Sequence, residues 1–224
     1  MREQKNKGFQ PYNFQFYSVD ALLKRSEKFY SEVNQRRTIR HFSDQAVPKK
    51  VIENIILTAS SAPSGAHRQP WTFCAIANAA LKKEIRIAAE KEEYENYHGR
   101  MSEEWLEDLV PFGTDWNKPF IEIAPWTIVV FRKNYDLVEG KKQKNYYVQE
   151  SVGIACGFLL TAIHQAGLAS LTHTPSPMNF LGKILGRPEN EKPFLLIPVG
   201  YPTKDCQVPQ IERKPLKDVS VFFE

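Results

Sequence analysis

The sequence predicts an α+β fold or three-layer sandwich, in which helices flank a mixed sheet of four or five strands. Some segments repeat apolar residues at helical spacing, and others are short, continuous apolar runs typical of buried strands. The two kinds of segment do not alternate regularly, as they would in a series of β-α-β units. With no internal repeat and no long linker, we expect one domain over residues 1–224.

Length and composition exclude several classes of protein. Of the 224 residues, 42% are hydrophobic and 25% are charged, which is ordinary for a soluble globular chain. The 30 basic and 26 acidic residues give a net charge of +4, which does not indicate nucleic acid as a partner. No apolar run approaches the ~18–20 residues that span a bilayer, so we expect no membrane partner. The three cysteines are widely spaced without a C-x-x-C pair, which favours a reducing cytoplasm.

The first third of the chain is predicted to hold two helices and a strand. Residues 1–18 have no period and are predicted to form an arm, and residues 19–33 carry apolar residues at helical positions. Residues 36–42 are basic and extended. Pro48 opens a second helix, where its missing N–H costs nothing. The apolar run at residues 71–76 predicts a strand.

The middle of the chain is predicted to alternate charged and apolar elements. Residues 80–97 form a charged helix, and residues 101–118 hold a short helix that is broken near a proline and a glycine. Residues 125–131 predict a buried strand, and residues 134–144 a polar loop without a core signal. Residues 146–166 form the longest apolar helix.

The last quarter of the chain is predicted to complete the sheet. Residues 169–174 and 194–199 read as strands, with a short helix at 180–185 between them. The segment 203–224 is predicted to be an extended C-terminal arm.

Two polar segments are candidate ligand contacts. Arg36, Arg37 and Arg40 lie close together before a helix, and forked guanidinium groups bind phosphate well, although the cluster alone is more typical of a solvated loop. The small residues of 62–66 would let the backbone approach a flat ligand, or would simply end a helix. No G-x-G-x-x-G or Walker A motif is present, which disfavours both a Rossmann site and a P-loop.

Further candidates lie later in the chain. Glu93 and Tyr97 share a helical face, and together with Lys118 they could hold a zwitterion, although each alone is typical of a solvated surface. The hydroxyls of residues 172–174 could bond a cofactor, or reflect the β-propensity of threonine. The scattered histidines predict no metal site, and Ser64 is not in a G-x-S-x-G motif.

Taken together and in this order, these segments resemble a known family. RRTIRHF and APSGAHRQPWTF resemble the opening of the FMN-dependent nitroreductase superfamily. EEYENYHGRMSEEW and TDWNKPF resemble the substrate lid of its iodotyrosine deiodinase (halotyrosine dehalogenase) branch. The later segments YYVQESVGIACGFLLTAIHQAGL, LGRPENEK, PVGYPTK and ERKPL resemble the same branch. The resemblance is co-linear over residues 34–216. Because the N-terminal anchor of the animal enzymes is not recognised here, we expect a soluble, bacterial or other non-animal member.

The resemblance implies a nitroreductase-like, interlocked homodimer, with FMN bound at the two-fold interface in sites built by both subunits. The implied phosphate and ring contacts are Arg36, Arg37, Thr38, Arg40 and Arg213. The implied contacts along the flavin are Pro63, Ser64, Gly65, Thr172, His173 and Thr174. Thr174 is the implied catalytic residue, its hydroxyl facing flavin N5. His173 departs from a Thr-Thr-Thr run, and the segment after Thr174 is one residue longer than the family pattern.

The resemblance also implies a substrate site under a lid formed by residues 91–118. Its implied groups are Ala66, whose N–H would meet a phenolate, and the zwitterion-holding residues Glu93, Tyr97 and Lys118. Closing such a lid excludes water and strengthens each contact. A ring halogen makes the phenol more acidic, so an N–H donor would favour the halophenolate over tyrosine.

The implied function is FMN-dependent reductive dehalogenation of halotyrosines, converting 3-iodotyrosine to tyrosine plus iodide by sequential one-electron transfer. A hydrogen bond from Thr174 to N5 would favour one-electron steps over hydride transfer. One alternative is an NAD(P)H-dependent nitroreductase or flavin reductase, which would need no zwitterion site. Another is a non-catalytic halotyrosine-binding flavoprotein. Since no nicotinamide fingerprint occurs, a separate NAD(P)H-dependent reductase is a candidate electron donor.

Overall fold

The computed structural model describes residues 8–224, and its contacts divide the chain into one unit ending at Gln35 and a second spanning Arg36–Glu224. In the first unit, helix α1 (Val19–Asn34) confirms the predicted helix, and Ser18 caps it by accepting a hydrogen bond from the Ala21 amide at 3.3 Å. Helix α1 buries none of its residues. Residues 1–7 of the predicted arm lie outside the described residues, and the single domain stays a prediction.

The second unit holds the sheet and the remaining helices. Its strands are β1 (Trp71–Ile76), β2 (Trp126–Lys133), β3 (Tyr135–Val138), β4 (Lys141–Lys144), β5 (Ala169–Ser170) and β6 (Glu191–Gly200). Its α-helices are α2 (Lys49–Ser60), α3 (Ala79–Glu95), α4 (Glu103–Leu109), α5 (Phe120–Ile123), α6 (Val148–Gln165), α7 (Asn179–Ile184) and α8 (Leu216–Val219). Shorter helical turns occur at Gly65–His67, Asn96–Arg100 and Val110–Phe112.

The main sheet has the strand order β1-β2-β6-β5, and helices pack on both of its faces. Side chains alternate along β2, because successive residues of a strand point to opposite faces. Ile128 and Val130 join a cluster with residues of α2 and α6, and Val129 and Phe131 join a second cluster with residues of α3, α5 and α7. This arrangement confirms the predicted three layers.

The main sheet is antiparallel, whereas the sequence predicted a mixed sheet. All three neighbouring pairs of strands are antiparallel. Within residues 8–224, the parallel component is one isolated bridge between Thr38 and Ser170. This bridge places the arginine-rich segment beside the short edge strand β5, and so positions Arg36, Arg37 and Arg40 at that edge of the sheet.

Three predicted segments differ from the structure. Residues 134–144, predicted as a loop, form the antiparallel hairpin β3–β4. The predicted strand 169–174 pairs continuously only at Ala169–Ser170, with one further bridge from His173 to Leu196. The C-terminal arm is extended apart from the short helix α8, which follows Pro215. The short helix α5, just after Lys118, had no separate prediction.

The described chain offers no span for a bilayer. Within residues 8–224, no helix combines the length and the apolar character needed to cross a membrane.

Candidate functional site

The predicted phosphate-binding residues meet in one cavity of about 200 Å³, which we call the arginine cavity. Its lining residues are Arg36, Arg37, Thr38, Arg40, Phe112, Pro209, Ile211, Glu212 and Arg213. The C-terminal arm is held against the arginine-rich segment from both sides. Arg37 donates to the carbonyl of Pro209, and Arg213 Nη2 donates to the carbonyl of Arg36 at 2.9 Å. Residues distant in sequence therefore build one cationic site.

Electrostatics in the arginine cavity favour an anionic ligand. Burial lowers the pKa of Arg36, and the neighbouring charges of Arg213 and Arg37 lower it further. Burial also lowers the pKa of Arg40, whose guanidinium carbon lies 5.9 Å above the ring of Phe112. Like charges gathered in a partly desolvated cavity repel one another, and a bound phosphate would relieve that repulsion.

The predicted zwitterion-binding residues also come together. Glu93 lies in the last turn of α3, Tyr97 in the following Asn96–Arg100 turn, and Lys118 just before α5. Lys118 Nζ lies 3.4 Å from Glu93 Oε2, and the two side chains are only 4% and 7% exposed. Tyr97 Oη donates to the carbonyl of Thr114 at 3.3 Å, and the Tyr97 ring centroid lies 5.3 Å from Lys118 Nζ.

Burial sets the charge balance of this cluster. It raises the pKa of Glu93, against the opposing attraction of Lys118, and it lowers the pKa of Lys118, against the attraction of Glu93. Burial also raises the pKa of Tyr97, so its phenol stays a hydrogen-bond donor at neutral pH. A ligand that carries both an ammonium and a carboxylate would supply each member of the pair with a second opposite charge.

A second cavity, of about 480 Å³, links this cluster to the predicted catalytic threonine. We call it the lid cavity, and its lining residues are Glu93, Asn96, Arg100, Met101, Trp105, Thr174, Ser176 and Pro177. Asn96 Nδ2 donates to the carbonyl of Ser176 at 3.0 Å, which ties the segment after α3 to the segment after Thr174. The structure thus places Thr174 and Glu93 around one space.

Residues 172–174 differ in their exposure to solvent. Thr172 and Thr174 are exposed. The ring of His173 is packed edge-on against Phe120, with centroids 5.7 Å apart, and its buried Nε2 has no hydrogen-bond partner among residues 8–224. Burial, together with the positive charges of Lys118 and Arg40, lowers the pKa of His173 to about 3. The imidazole is therefore neutral at physiological pH.

The predicted flavin loop is strained and anchored to the start of α6. The Gly65 amide donates to Ser151 Oγ at 3.3 Å, and Ser64 Oγ accepts from the Gln69 amide at 2.9 Å. Ala66 has a positive φ of 49°, and its N–H has no acceptor within the described part of the chain. That N–H is available to a ligand.

The loop does not contribute to the two cavities that hold the other predicted site residues. Residues 63–66 line neither the arginine cavity nor the lid cavity. Their neighbours are Tyr146, Tyr147 and Ser151 at the start of α6. One copy of the chain therefore holds two parts of the predicted site without joining them.

Sequence reasoning missed several residues that shape the site. Phe112 and Pro209 line the arginine cavity, and Trp105 and Arg100 line the lid cavity. Arg100, Trp105 and Phe112 fall within the predicted lid and Pro209 within the predicted C-terminal arm, but none of them was given a role, and only the fold places them at the cavities. Ser151 did carry a signal, because it is a buried polar residue on the core face of an apolar helix.

Comparisons with known proteins agree with the geometry. A model described as the Nitroreductase family matches residues 33–201. A protein of the bacterium Haliscomenobacter hydrossis called iodotyrosine deiodinase is 62% identical, over 96% of this chain and 97% of that protein. The human protein called iodotyrosine deiodinase 1 is 43% identical, over 94% of this chain and 74% of its own length.

Solved structures give the same picture. A crystal structure of oxidized iodotyrosine deiodinase bound to FMN and 3-iodo-L-tyrosine aligns with a TM-score of 0.74 and 28% identity, covering 87% of this chain and all of that chain. A nitroreductase with bound FMN from Bacteroides fragilis aligns with a TM-score of 0.63 at 18% identity, over 88% of this chain and 98% of that one, which supports the fold alone.

Proposed function

We propose, since the chain belongs to the nitroreductase family, that it is an FMN-dependent oxidoreductase that removes halide reductively from halotyrosines. The reaction converts 3-iodotyrosine to tyrosine and iodide, so the ring carbon gains two electrons and one proton as iodide leaves. The proposal combines the names of the close relatives with the geometry of the site.

One observation carries the choice of substrate class. Glu93 lines a cavity that Thr174 also lines, and Glu93 is paired there with the buried Lys118, which lies over the Tyr97 ring. An amino acid has the two charges that this pair can bind, whereas a nitroaromatic compound has no such end. We assign Lys118 to the substrate carboxylate, Glu93 to the ammonium, and Tyr97 to a directional hydrogen bond.

The donors in the arginine cavity fit the phosphate of FMN. Its guanidinium groups and the Thr38 hydroxyl are suited to phosphate oxygens. We assign the phosphate and nearby ring contacts to Arg36, Arg37, Thr38, Arg40 and Arg213. When bound, FMN supplies the electrons for the reaction. The residues proposed to lie along its ring are Pro63, Ser64, Gly65, Thr172, the backbone of His173, and Thr174.

The remaining assignments concern the two reacting ends. We assign the Thr174 hydroxyl to flavin N5, where a hydrogen bond would favour one-electron transfer. We assign the free N–H of Ala66 to the phenolate oxygen of the substrate. Because a halogen lowers the pKa of the phenol, this donor would bind a halotyrosine better than tyrosine. Residues 91–118 would close over the bound substrate as a lid and exclude water.

We further propose a homodimer with both sites shared between subunits. Its support is the separation, within one chain, of the 63–66 loop from the two cavities. A second copy could bring its loop against the first copy's arginine cavity and lid cavity. The cysteines at positions 74, 156 and 206 are free, which agrees with a cytoplasmic protein. The proposed electron donor is a separate NAD(P)H-dependent reductase.

An anaerobic single-turnover experiment tests the proposed function. The purified flavoprotein is reduced with dithionite and mixed with 3-iodotyrosine, while flavin absorbance and released iodide are followed together. We expect one iodide per flavin reoxidised. Tyrosine is the matched control, since it offers the same zwitterion without a halogen, and it should leave the flavin reduced.

Two other results would contradict the proposal. Tight binding of 3-iodotyrosine without iodide release would indicate a non-catalytic binding protein. If the protein neither binds 3-iodotyrosine nor releases iodide, and rapidly oxidises NAD(P)H with nitroaromatic compounds, it would be a nitroreductase.

A further inference from the structure

The loop that carries the Ala66 amide has an unusual backbone. Ala66, His67 and Gln69 have positive φ values of 49°, 53° and 48°, in the left-handed region that residues with a Cβ rarely adopt. Such conformations persist only where the surrounding structure holds them. Something other than the intrinsic preference of these residues must therefore fix residues 64–69, which we call the strained loop.

Arg68 is a side chain of the strained loop that makes a hydrogen bond outside the loop. Ala66 and His67 beside it are exposed, whereas Arg68 is half-buried. Arg68 Nε donates to Asn145 Oδ1 at 3.0 Å. Asn145 is itself only 3% exposed, so the bond is partly shielded from water.

Asn145 joins the strained loop to the base of the β3–β4 hairpin. Asn145 Nδ2 donates to the carbonyl of Lys133 at 2.9 Å, and the Asn145 amide donates to the carbonyl of Asn134 at 3.0 Å. The Lys133 amide in turn donates to the carbonyl of Pro70 at 2.9 Å. Both strands of the hairpin are thus tied at their base to the end of the strained loop.

The hairpin also places a carboxylate near the half-buried Arg68 guanidinium, beyond hydrogen-bond distance. Asp136 Oδ2 lies 4.0 Å from Arg68 Nη2, and Asp136 Oδ1 lies 3.5 Å from Lys133 Nζ. Most other hairpin residues are exposed, and none belongs to either hydrophobic cluster. The hairpin therefore has few contacts with the core. Asn190 Nδ2 donates to its Tyr135 carbonyl at 2.8 Å, and the contacts at its base lead through Asn145 to Arg68.

We propose that Arg68, Asn145 and the β3–β4 hairpin form a clamp that holds the strained loop in the conformation that presents the Ala66 N–H to the substrate phenolate. This inference rests on the proposed function and adds a specificity determinant to it. Arg68 is a positioning residue, since it acts through Ala66 and touches neither substrate nor cofactor. Loss of the clamp should weaken recognition of the phenolate more than recognition of the amino-acid end.

The test compares the affinities of the flavin-loaded enzyme for 3-iodotyrosine and tyrosine between pH 6 and pH 9. In Arg68→Ala, the preference for 3-iodotyrosine should fall on the order of tenfold, since a buried hydrogen bond and its partner are affected. The pH dependence of 3-iodotyrosine binding should flatten, while tyrosine affinity changes far less. Asn145→Ala should have the same effect, and the double variant should be no worse than either single variant.

Two further variants distinguish loss of the clamp from a general loss of structure. Arg132→Ala, which removes another half-buried arginine from the neighbouring strand, should keep the wild-type preference. Arg68→Lys should recover part of that preference, because the ammonium keeps the charge and can donate a hydrogen bond, although it lacks the guanidinium fork. If Arg68→Ala fails to fold, Arg68→Lys and Asn145→Ser carry the test.

Hydrogen exchange separates failure of the clamp from failure of the proposed function. Amides of residues 64–69 should exchange faster in Arg68→Ala than in Arg132→Ala, whatever the substrate. Unchanged exchange, an unchanged ligand preference, or additive single variants would overturn the clamp. Failure of the wild-type enzyme to bind 3-iodotyrosine, with faster exchange in Arg68→Ala, would instead overturn the proposed function and with it the specificity role of the clamp.

Discussion

At the scale of single residues, the Glu93–Lys118 pair has more relevance to ligand binding than to stability. Removing two charges from water costs several kcal/mol per ion, and attraction within the pair rarely exceeds this cost. The pKa shifts agree, because burial drives both groups toward their neutral forms despite the attraction between them. The pair is better understood as a preformed receptor for an ammonium and a carboxylate.

Replacing Glu93 by glutamine tests this interpretation. The Glu93→Gln variant leaves the Lys118 ammonium buried without its carboxylate and removes the ligand for a substrate ammonium. We expect the affinity for 3-iodotyrosine to fall at least 100-fold and the free energy of unfolding to drop by about 3–5 kcal/mol. Calorimetric titration and denaturant unfolding measure the two effects.

A matched variant and a second activity complete that experiment. The exposed neighbour Glu95 lies on the same helix, so Glu95→Gln should change neither quantity. Reduction of a nitroaromatic compound by the Glu93→Gln enzyme should be nearly unchanged. If Glu93→Gln retained wild-type affinity for 3-iodotyrosine, the zwitterion assignment would be wrong.

His173 gives a pH dependence whose sign can be stated. Its pKa is lowered from the ordinary value of 6.5 to about 3 in the folded chain. The unfolded chain therefore binds a proton below pH 6.5 that the folded chain does not. The stabilisation is present above pH 6.5 and is lost as the pH falls toward 3, at about 1.4 kcal/mol per unit.

The stability advantage of wild type over His173→Phe should shrink by about 2 kcal/mol between pH 7.5 and pH 5.0. Phenylalanine has a similar shape and cannot titrate, so the packing difference cancels between the two pH values. Denaturant unfolding of both proteins at each pH measures the change. The exposed His41→Phe variant is measured in parallel as the control. An advantage independent of pH would contradict a buried, neutral His173.

At the scale of elements, the contact between the strained loop and α6 depends on Gly65. A Cβ at this position would lie 2.9 Å from the carbonyl oxygen of Tyr146 and 2.9 Å from Tyr147 Cδ2. A backbone carbonyl cannot move aside as a flexible side chain can. We therefore expect Gly65→Ala to displace the loop, lower the melting temperature by several degrees and weaken FMN binding.

The control for this prediction is a glycine with free space around it. Gly182 lies inside α7, and a Cβ there would meet nothing within 4 Å. Gly182→Ala should stabilise the protein by up to ~1 kcal/mol because alanine is the better helix former. Thermal unfolding and flavin release compare the two variants, and equal behaviour would refute the close contact at Gly65.

Helices and strands were predictable where burial of one face gives the sequence a regular pattern of apolar residues. Helices α2 and α6 and strand β2 show this, since each has a face or a run of residues that the core covers. The β3–β4 hairpin could not be found in this way, because most of its side chains are exposed. Its turn, Glu139–Gly140, has two positive φ values, as in a type I′ turn, but lacks the usual Asn-Gly sequence.

The site was predictable only in part, for the same physical reason. The spacing of Glu93 and Tyr97 places them on one helical face from local geometry alone. Their meeting with Lys118 depends on how α3 and α5 pack, and the contact of Arg213 with Arg36 joins residues 177 positions apart. Such long-range contacts are properties of the fold, so before the structure only the family resemblance could suggest them.

At the scale of the whole molecule, the exposed apolar surface supports a second copy of the chain. Helix α6 buries one face in the core, yet Ile154 and Phe158 on the same helix are 43% and 40% exposed. Gly153 and Gly157 beside them would meet nothing within 4 Å if given a Cβ. Large exposed apolar patches usually mark an interface, and small residues allow close approach of helices.

Introducing charge on this face tests the shared site of the proposed dimer. We expect an Ile154→Glu, Phe158→Glu double variant to run at the 25.8 kDa of one chain in light scattering, and the wild type at twice that mass. Because the 63–66 loop does not line the arginine cavity of its own chain, the monomer should also lose its FMN on gel filtration. Ile87→Glu, at a still more exposed isoleucine on α3, should remain a dimer and keep its FMN. A double variant that stays dimeric would place the interface elsewhere, and a monomer that retains FMN with wild-type affinity would show that one chain completes the cofactor site.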